Sequence, residues 1–222
     1  MDTRVASLAR SERVYAAVKA RVIACEFPQG QRILLEPVAR SLGVSTTPVR
    51  EAMNRLAAEE LVIKAPCKGF VALRLTRQRL SGHYDITRLL LTHTLERLDT
   101  QTRRTLPVFE PIATALHRLN RRHLTDDRVL AACTGEMFLA IAKLGTNADI
   151  VCAIRRANDR LHYPRTLECR LLPEVQEELV RLCELLLARR CDDLLRGIHD
   201  YHDTRIALLS PLLELAQQRD QR

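Results

Sequence analysis

Residues 42–53 read Leu42-Gly43-Val44-Ser45-Thr46-Thr47-Pro48-Val49-Arg50-Glu51-Ala52-Met53. Gly43 is placed to end a short helix over residues 36–42 in a left-handed conformation, and Pro37 suits that helix's first turn. Thr47 is a good N-cap for the next helix. Pro48 suits its first position, and Glu51 lies near its positive end. Val49, Ala52, Met53 and Leu56 then repeat at i, i+3, i+4 and i+7, one buried stripe. Arg50 and Asn54 lie four apart on the opposite side. Two helices joined by the short turn Gly43-Val44-Ser45-Thr46 form a helix-turn-helix, whose second helix is shaped to enter a DNA major groove.

Working outward, residues 11–25 carry a helical pattern with Val14, Ala17, Val18 and Val22 on one face. Residues 1–10 read as a flexible N-terminus. Phe27-Pro28-Gln29-Gly30 breaks the first helix. Downstream, Leu61-Val62-Ile63 reads as a strand, Pro66-Cys67-Lys68-Gly69 as a turn and Phe70-Val71-Ala72-Leu73 as the returning strand. Three helices followed by a two-stranded hairpin make a winged helix-turn-helix over residues 11–75.

Charge follows the same division. Residues 1–80 hold 14 Lys/Arg against 7 Asp/Glu, whereas residues 81–222 hold 21 against 20. A basic head on a near-neutral remainder is what counterion release at DNA phosphates favours, although a solvated basic surface alone would look the same. Ser45, Thr46 and Thr47 can donate to phosphate oxygens. Arg50 can reach a phosphate or the O6/N7 edge of guanine. Asn54 shares its face. Arg32 can clamp the backbone, Lys68 sits at the wing tip, and Gly69 lets the wing backbone approach closely. These eight residues are the candidate DNA contacts.

The run Gly30-Gln31-Arg32-Ile33, then residues 42–53, then Leu56 and Glu60-Leu61-Val62, resembles the GntR family of bacterial regulators over about residues 10–75. The resemblance implies operator contacts at Arg32, Ser45, Thr46, Thr47, Arg50 and Gly69. One departure stands out: position 46 is usually arginine in that family and is threonine here, so the operator sequence does not carry over.

From residue 76 onward the signals are helical, with segments near 77–103, 107–121, 125–143, 147–163, 173–190 and 191–218. The breaks fall at Pro107, Leu124-Thr125, Gly145-Thr146-Asn147, Pro164 and Pro173. The fold expected is therefore mainly α: a winged head and a C-terminal bundle of about six helices over residues 76–222. Tyr84-Asp85-Ile86-Thr87-Arg88, Met137-Phe138 and Leu144-Gly145-Thr146-Asn147 resemble the FCD-type subfamily. That resemblance implies a homodimer and a small carboxylate, sugar-acid or acyl effector held in the bundle, with candidate residues Arg88, Thr92 and Asn147. A salt bridge is the alternative role for Arg88.

The resemblance also implies a divalent metal held by one Asp and three His. Here Gly135 stands at the Asp position, Leu139 at the first His and Glu178-Leu179-Val180 near the second, which leaves only His199 or His202 for the last. No metal and no other cofactor is expected, although Glu136, Glu178 and His202 are an unusual alternative set. His93, His117 and His162 read as surface or core histidines.

No Gly-rich phosphate loop, G-x-S-x-G elbow or H-E-x-x-H run occurs, so an enzyme is not expected. Seven cysteines without a CxxC pair argue against a disulfide or zinc framework; Cys67, beside Lys68, is the redox candidate. The polar N-terminus and the lack of an 18-residue apolar run point to a cytoplasmic protein without a membrane span. The expected protein is a transcriptional regulator, a repressor, with double-stranded operator DNA and a small effector as partners. A bundle that only dimerises or docks a protein is the alternative.

Overall fold

The computed structural model describes residues 2–67, 69–98, 110–119 and 126–220. The chain divides into two compact units, residues 1–75 and 76–222.

The first unit opens with α1, Asp2–Ile23, which starts nine residues before the expected Ser11. Residues 2–10 contain no glycine or proline and are mostly helix-tolerant, so nothing stops the helix from extending to the first turn. Helix α2 spans Leu35–Leu42 and ends on Gly43 at φ +64°. Its cap is closed by Gly43 N–H donating to Arg40 O at 3.2 Å and Val44 N–H donating to Ala39 O at 3.0 Å. These two bonds satisfy carbonyls that the helix end would leave unpaired.

Helix α3 spans Thr46–Ala58 with Ser45, not Thr47, as N-cap. Pro48 therefore falls at the third helical position. It is tolerated there because that N–H is one of the four the helix start leaves unpaired in any case. Val49, Ala52, Met53 and Leu56 are buried as the periodicity predicts, joined by Val14, Val18, Val38 and Phe70 in one core. Each of these side chains larger than Ala52 contributes roughly 1.5–3 kcal/mol by leaving water.

The wing has three strands, not two. β2, Val62–Ala65, and β3, Gly69–Ala72, form the expected hairpin, and β1, Arg32–Ile33, pairs antiparallel with β3 on its other edge. The order is β1-β3-β2. A strand of two residues is too short to carry an alternation, which is why the sequence did not reveal it.

The second unit is helical throughout its described residues: α4 Arg77–Glu96, α5 Glu110–Leu119, α6 Asp127–Ala142, α7 Ala148–Leu171, α8 Val175–Leu187, α9 Cys191–Ala207 and α10 Leu209–Asp220. Thr76, Asp126 and Asn147 cap α4, α6 and α7 through their side chains. Leu91, Leu95, Met137, Phe138, Ile141, Ile154, Leu179, Leu182, Leu194 and Ile198 belong to its core.

Three boundaries differ from expectation. α4 ends at Glu96, seven residues early; the expected break at Pro107 lies outside the described residues, as does that at Leu124-Thr125. Pro164 does not end α7 but lies inside it, buried. An interior proline costs about 3 kcal/mol, and Ile154, Ala157 and Leu161 before it and Leu167 after it are all buried, which offsets that cost. The expected last helix is two, because Leu208 interrupts it with N–H bonds to both Thr204 O and Arg205 O at 3.2 Å. No described helix is long and apolar enough to cross a membrane.

Candidate nucleic-acid interface and the interior of the helical unit

Helix α3 is held against α1 by polar contacts on one side, which leaves its other side free. Tyr15 donates a hydrogen bond to Glu59, Lys19 pairs with Glu59 at 3.0 Å, and Arg55 pairs with Glu12 at 2.6 Å while lying 3.8 Å over the Tyr15 ring. Burial raises the Tyr15 hydroxyl, reinforced by Glu59. The Glu59 carboxyl is held below its usual range by Tyr15 and Lys19, against the opposing effect of its own burial.

Thr47, Arg50 and Asn54 form an exposed stripe on α3 away from the core. Ser45 is exposed, and its hydroxyl makes no cap bond, so it remains available to a ligand; Thr46 is half-buried beside it. Arg50 has no ion-pair partner among the described residues. The N-terminal end of α3 borders an open cleft of about 850 Å³ that is also lined by Arg10, Arg13 and Arg40. These three arginines were not singled out from sequence; the only signal for them was the excess charge of the head.

Between α3 and the wing lies a second cleft of about 480 Å³, lined by Arg50, Asn54, Lys64, Pro66, Cys67 and Gly69. Lys64 Nζ donates to Asn54 Oδ1 at 2.9 Å, tying β2 to α3. Asn54 therefore reaches this cleft already engaged, and Lys64 is a basic residue the sequence reading missed. At the wing tip Cys67 and Gly69 adopt φ +60° and +72°, and Lys68 lies outside the described residues. Arg32 stands in β1, with its Nε 3.8 Å from where a Cβ on Gly69 would be. The structure thus gathers Arg32 and Gly69 at the wing, and Ser45, Thr46, Thr47, Arg50 and Asn54 along α3.

In the helical unit the expected effector residues have local partners. Arg88 bonds Asp203 at 2.5 Å and Asp85 at 3.2 Å. Thr92 is buried and donates to Arg88 O at 2.9 Å. Asn147 accepts from Asp149 N–H at 2.9 Å as the cap of α7.

The buried cations are instead Arg165 and Arg205, at 2% and 1% exposure. Arg205 Nε donates to Glu168 Oε2 at 3.1 Å and its Nη1 to Glu178 Oε1 at 2.9 Å, while Tyr84 donates to the other Glu168 oxygen. Arg165 Nη1 donates to Asn158 Oδ1 at 3.0 Å. Both arginines fall in phase with their helices' apolar stripes, Arg205 with Ile198 and Tyr201, Arg165 with Ile154, Ala157 and Leu161. That phase was the signal available in the sequence.

The family's metal set does not fit these residues. Gly135 and Leu139 have no donor atom. Glu178 is paired with Arg205, Glu136 with Arg118 at 2.5 Å, and His202 Nδ1 lies 2.7 Å from Ile198 O. Burial lowers the His202 imidazole to about 3, despite that carbonyl contact, and Arg165, Arg88 and Arg205 push the same way. No three His, Cys, Asp or Glu among the described residues are grouped to hold a metal. His93 and His117 are exposed and His162 half-buried. Burial pushes the Cys169 and Cys183 thiols up to about 12, so both act as apolar fillers.

Comparison with known proteins bears on the head first. Residues 10–71 match the model of the bacterial regulatory proteins of the gntR family. An HTH-type transcriptional regulator from the TAR-I ttuE-ttuC' intergenic region of Agrobacterium vitis is 35% identical over 83 residues, 37% of this chain and 48% of that protein. The chain thus matches about half the length of that relative. The Nta operon transcriptional regulator of Aminobacter aminovorans is 26% identical over 178 residues, covering 77% of this chain and 80% of that one. A solved structure of a GntR transcriptional regulator from Rhodococcus sp. RHA1 superposes with a TM-score of 0.75 at 18% identity, over 91% of this chain and 98% of the other; it has the same fold.

Proposed function

Since residues 10–71 form a GntR-family regulator domain, we propose that the protein is a cytoplasmic transcriptional regulator that binds a pseudo-palindromic operator as a homodimer, through α3 in the major groove and the wing beside it. The observation that carries this is Arg50, without an ion-pair partner among the described residues, on the exposed Thr47–Arg50–Asn54 stripe, flanked by the Lys64 cleft on one side and the Arg10, Arg13 and Arg40 cleft on the other. Positive charge with no carboxylate ion pair among the described residues, around a helix that presents hydroxyl, guanidinium and amide groups, suits phosphate anchoring with base readout. Ser45, Thr46, Thr47, Arg32 and Gly69 serve as further contacts.

The helical unit, of the FCD type in this reading, supplies the dimer contact and binds a small carboxylate without a metal. An effector of this kind shifts the heads only through a difference in affinity for two arrangements. Repression is the simplest sign of control, since a protein seated on its operator excludes the polymerase.

Selection of binding sites from a random DNA pool tests the reading. Recovery of an inverted repeat, with affinity falling steeply as salt rises, is the expected result. Recovery of no sequence, or salt-independent binding, would overturn it.

A further inference from the structure

Around Phe138 in the bundle interior stand three polar groups that are buried and lack partners among the described residues. They are the Nε and Nη2 atoms of Arg165, the hydroxyl of Tyr201 and the Nε2 atom of His202. The Arg165 guanidinium lies 5.1 Å from the Phe138 ring centre. The His202 ring stacks on Phe138 at 5.5 Å, and the Tyr201 ring meets both edge-on at 5.1 and 5.0 Å. An unpaired buried polar group costs about 1–3 kcal/mol, more if charged, so three such groups packed about one ring point to a site whose partner is a ligand.

The atoms specify its chemistry. Nε and Nη2 of an arginine are the side-on pair of parallel N–H donors that grips a carboxylate bidentately. The Tyr201 hydroxyl can add a third donor. His202 is neutral, and its Nδ1 hydrogen is engaged with Ile198 O. Its Nε2 therefore offers a lone pair, which repels a carboxylate oxygen but accepts a hydroxyl hydrogen. Gly135 backs the other arm of the guanidinium: a Cβ there would lie 3.6 Å from Arg165 Nη1 and 3.5 Å from the Asn158 side chain, at ordinary contact distance.

We propose that Arg165 takes the place of a metal ion in this bundle and binds the carboxylate of a hydroxy acid, whose hydroxyl donates to His202 Nε2. The site rests on the effector half of the proposed function and names its residues. Arg165, not Arg88, is the anchor.

Thermal unfolding of the full chain, with glycolate and acetate as probes at matched ionic strength, tests it. Glycolate raises the melting temperature, and acetate does so less. Arg165→Met weakens glycolate by roughly 10- to 100-fold, the value of a charge-assisted pair. Without a ligand the same variant melts no lower than the parent, because it removes an unpaired buried charge. Gly135→Asp places a carboxylate against the guanidinium, so it raises the melting temperature alone and abolishes the glycolate shift. His202→Phe removes the preference for glycolate over acetate.

An equal glycolate shift in Arg165→Met moves the effector elsewhere and overturns the assignment, leaving an effector-binding bundle. No shift in the parent, in a preparation that still binds the selected DNA, overturns the site and leaves the DNA reading intact. An Arg165-dependent shift in a protein that binds no DNA does the reverse.

Discussion

Lys64 Nζ donates to Asn54 Oδ1 at 2.9 Å, bridging the second wing strand and the exposed face of α3. The bond fixes the wing against the helix and holds an ammonium over the cleft that Arg50 shares. Lys64→Ala is expected to weaken binding to the selected operator about equally across sequence variants and to reduce the salt slope by about one. Fluorescence anisotropy from low to moderate salt measures both. An unchanged slope would remove Lys64 from the phosphate contacts.

Arg50 has a different signature. If its guanidinium reads a base edge, Arg50→Ala costs about 1–3 kcal/mol and relaxes specificity at one position of each half-site. Competition between the selected operator and single-base variants separates this from a phosphate contact, which lowers all affinities together. Unchanged affinity in a folded variant would place Arg50 outside the interface.

Glu168 ties three helices: it accepts from Tyr84 on α4 and from Arg205 on α9, and itself belongs to α7. It is 1% exposed. Its removal leaves Arg205 Nε and the Tyr84 hydroxyl without acceptors while Arg205 keeps Glu178, so Glu168→Ala is expected to cost about 1–3 kcal/mol. Urea unfolding followed by circular dichroism reads this. A loss under about 1 kcal/mol would mean that Glu178 or water takes over the bonds Glu168 made.

The head was largely legible in the sequence because its signals are local. The Gly43 turn and the Val49, Ala52, Met53, Leu56 stripe need only a few adjacent residues to be read. Strand β1 was not legible, since two residues carry no periodicity and Arg32 is paired only through Val71, 39 positions away. The Asn54–Lys64 bond is a tertiary contact that no motif encodes. In the bundle, the sequence left Arg88 between an effector contact and a salt bridge, and Asp203 and Asp85 pair with it at the half-exposed face. Arg165 and Arg205 were in phase with buried stripes, but charge is usually read as surface. Proline was read as a helix break at Pro164, where burial on both sides outweighs the lost hydrogen bond.

Gly197 marks a close approach of α9 to α8: a Cβ at this position would lie 2.5 Å from Leu182 Cδ2. Both residues are buried, and Leu182 is in the core. Gly197→Ala gains helix propensity of about 1 kcal/mol but forces Leu182 off its rotamer or parts the helices, at about 1–3 kcal/mol. The net expectation is destabilisation, and this penalty disappears when Gly197→Ala is made on a Leu182→Ala background, itself about 2–5 kcal/mol less stable. Thermal unfolding of the single and double variants checks this. A more stable Gly197→Ala protein would show that Leu182 repacks without strain.

His202 makes the bundle acid-sensitive in a defined window. In the folded protein burial holds its imidazole neutral down to about 3, helped by Arg165, Arg88 and Arg205 and opposed by the Ile198 carbonyl. Phe138 and Tyr201 stand against the ring, and Tyr84 meets it edge-on. In the unfolded chain the same group titrates near 6.5. Between these values the unfolded state binds the extra proton, so stability falls as the pH drops from about 6.5 towards 3 and is level above that range. One such group gives a slope of up to about 1.4 kcal/mol per pH unit. Glu59 and His162, both shifted down, add slopes of the same sign, so the quantity to measure is a difference. Urea unfolding of the parent and of His202→Phe at pH 7.5, 6.5, 5.5 and 4.5 is expected to give a shallower acid loss in the variant. Parallel curves would mean that His202 takes its proton in the folded state and that its Nε2 reaches water.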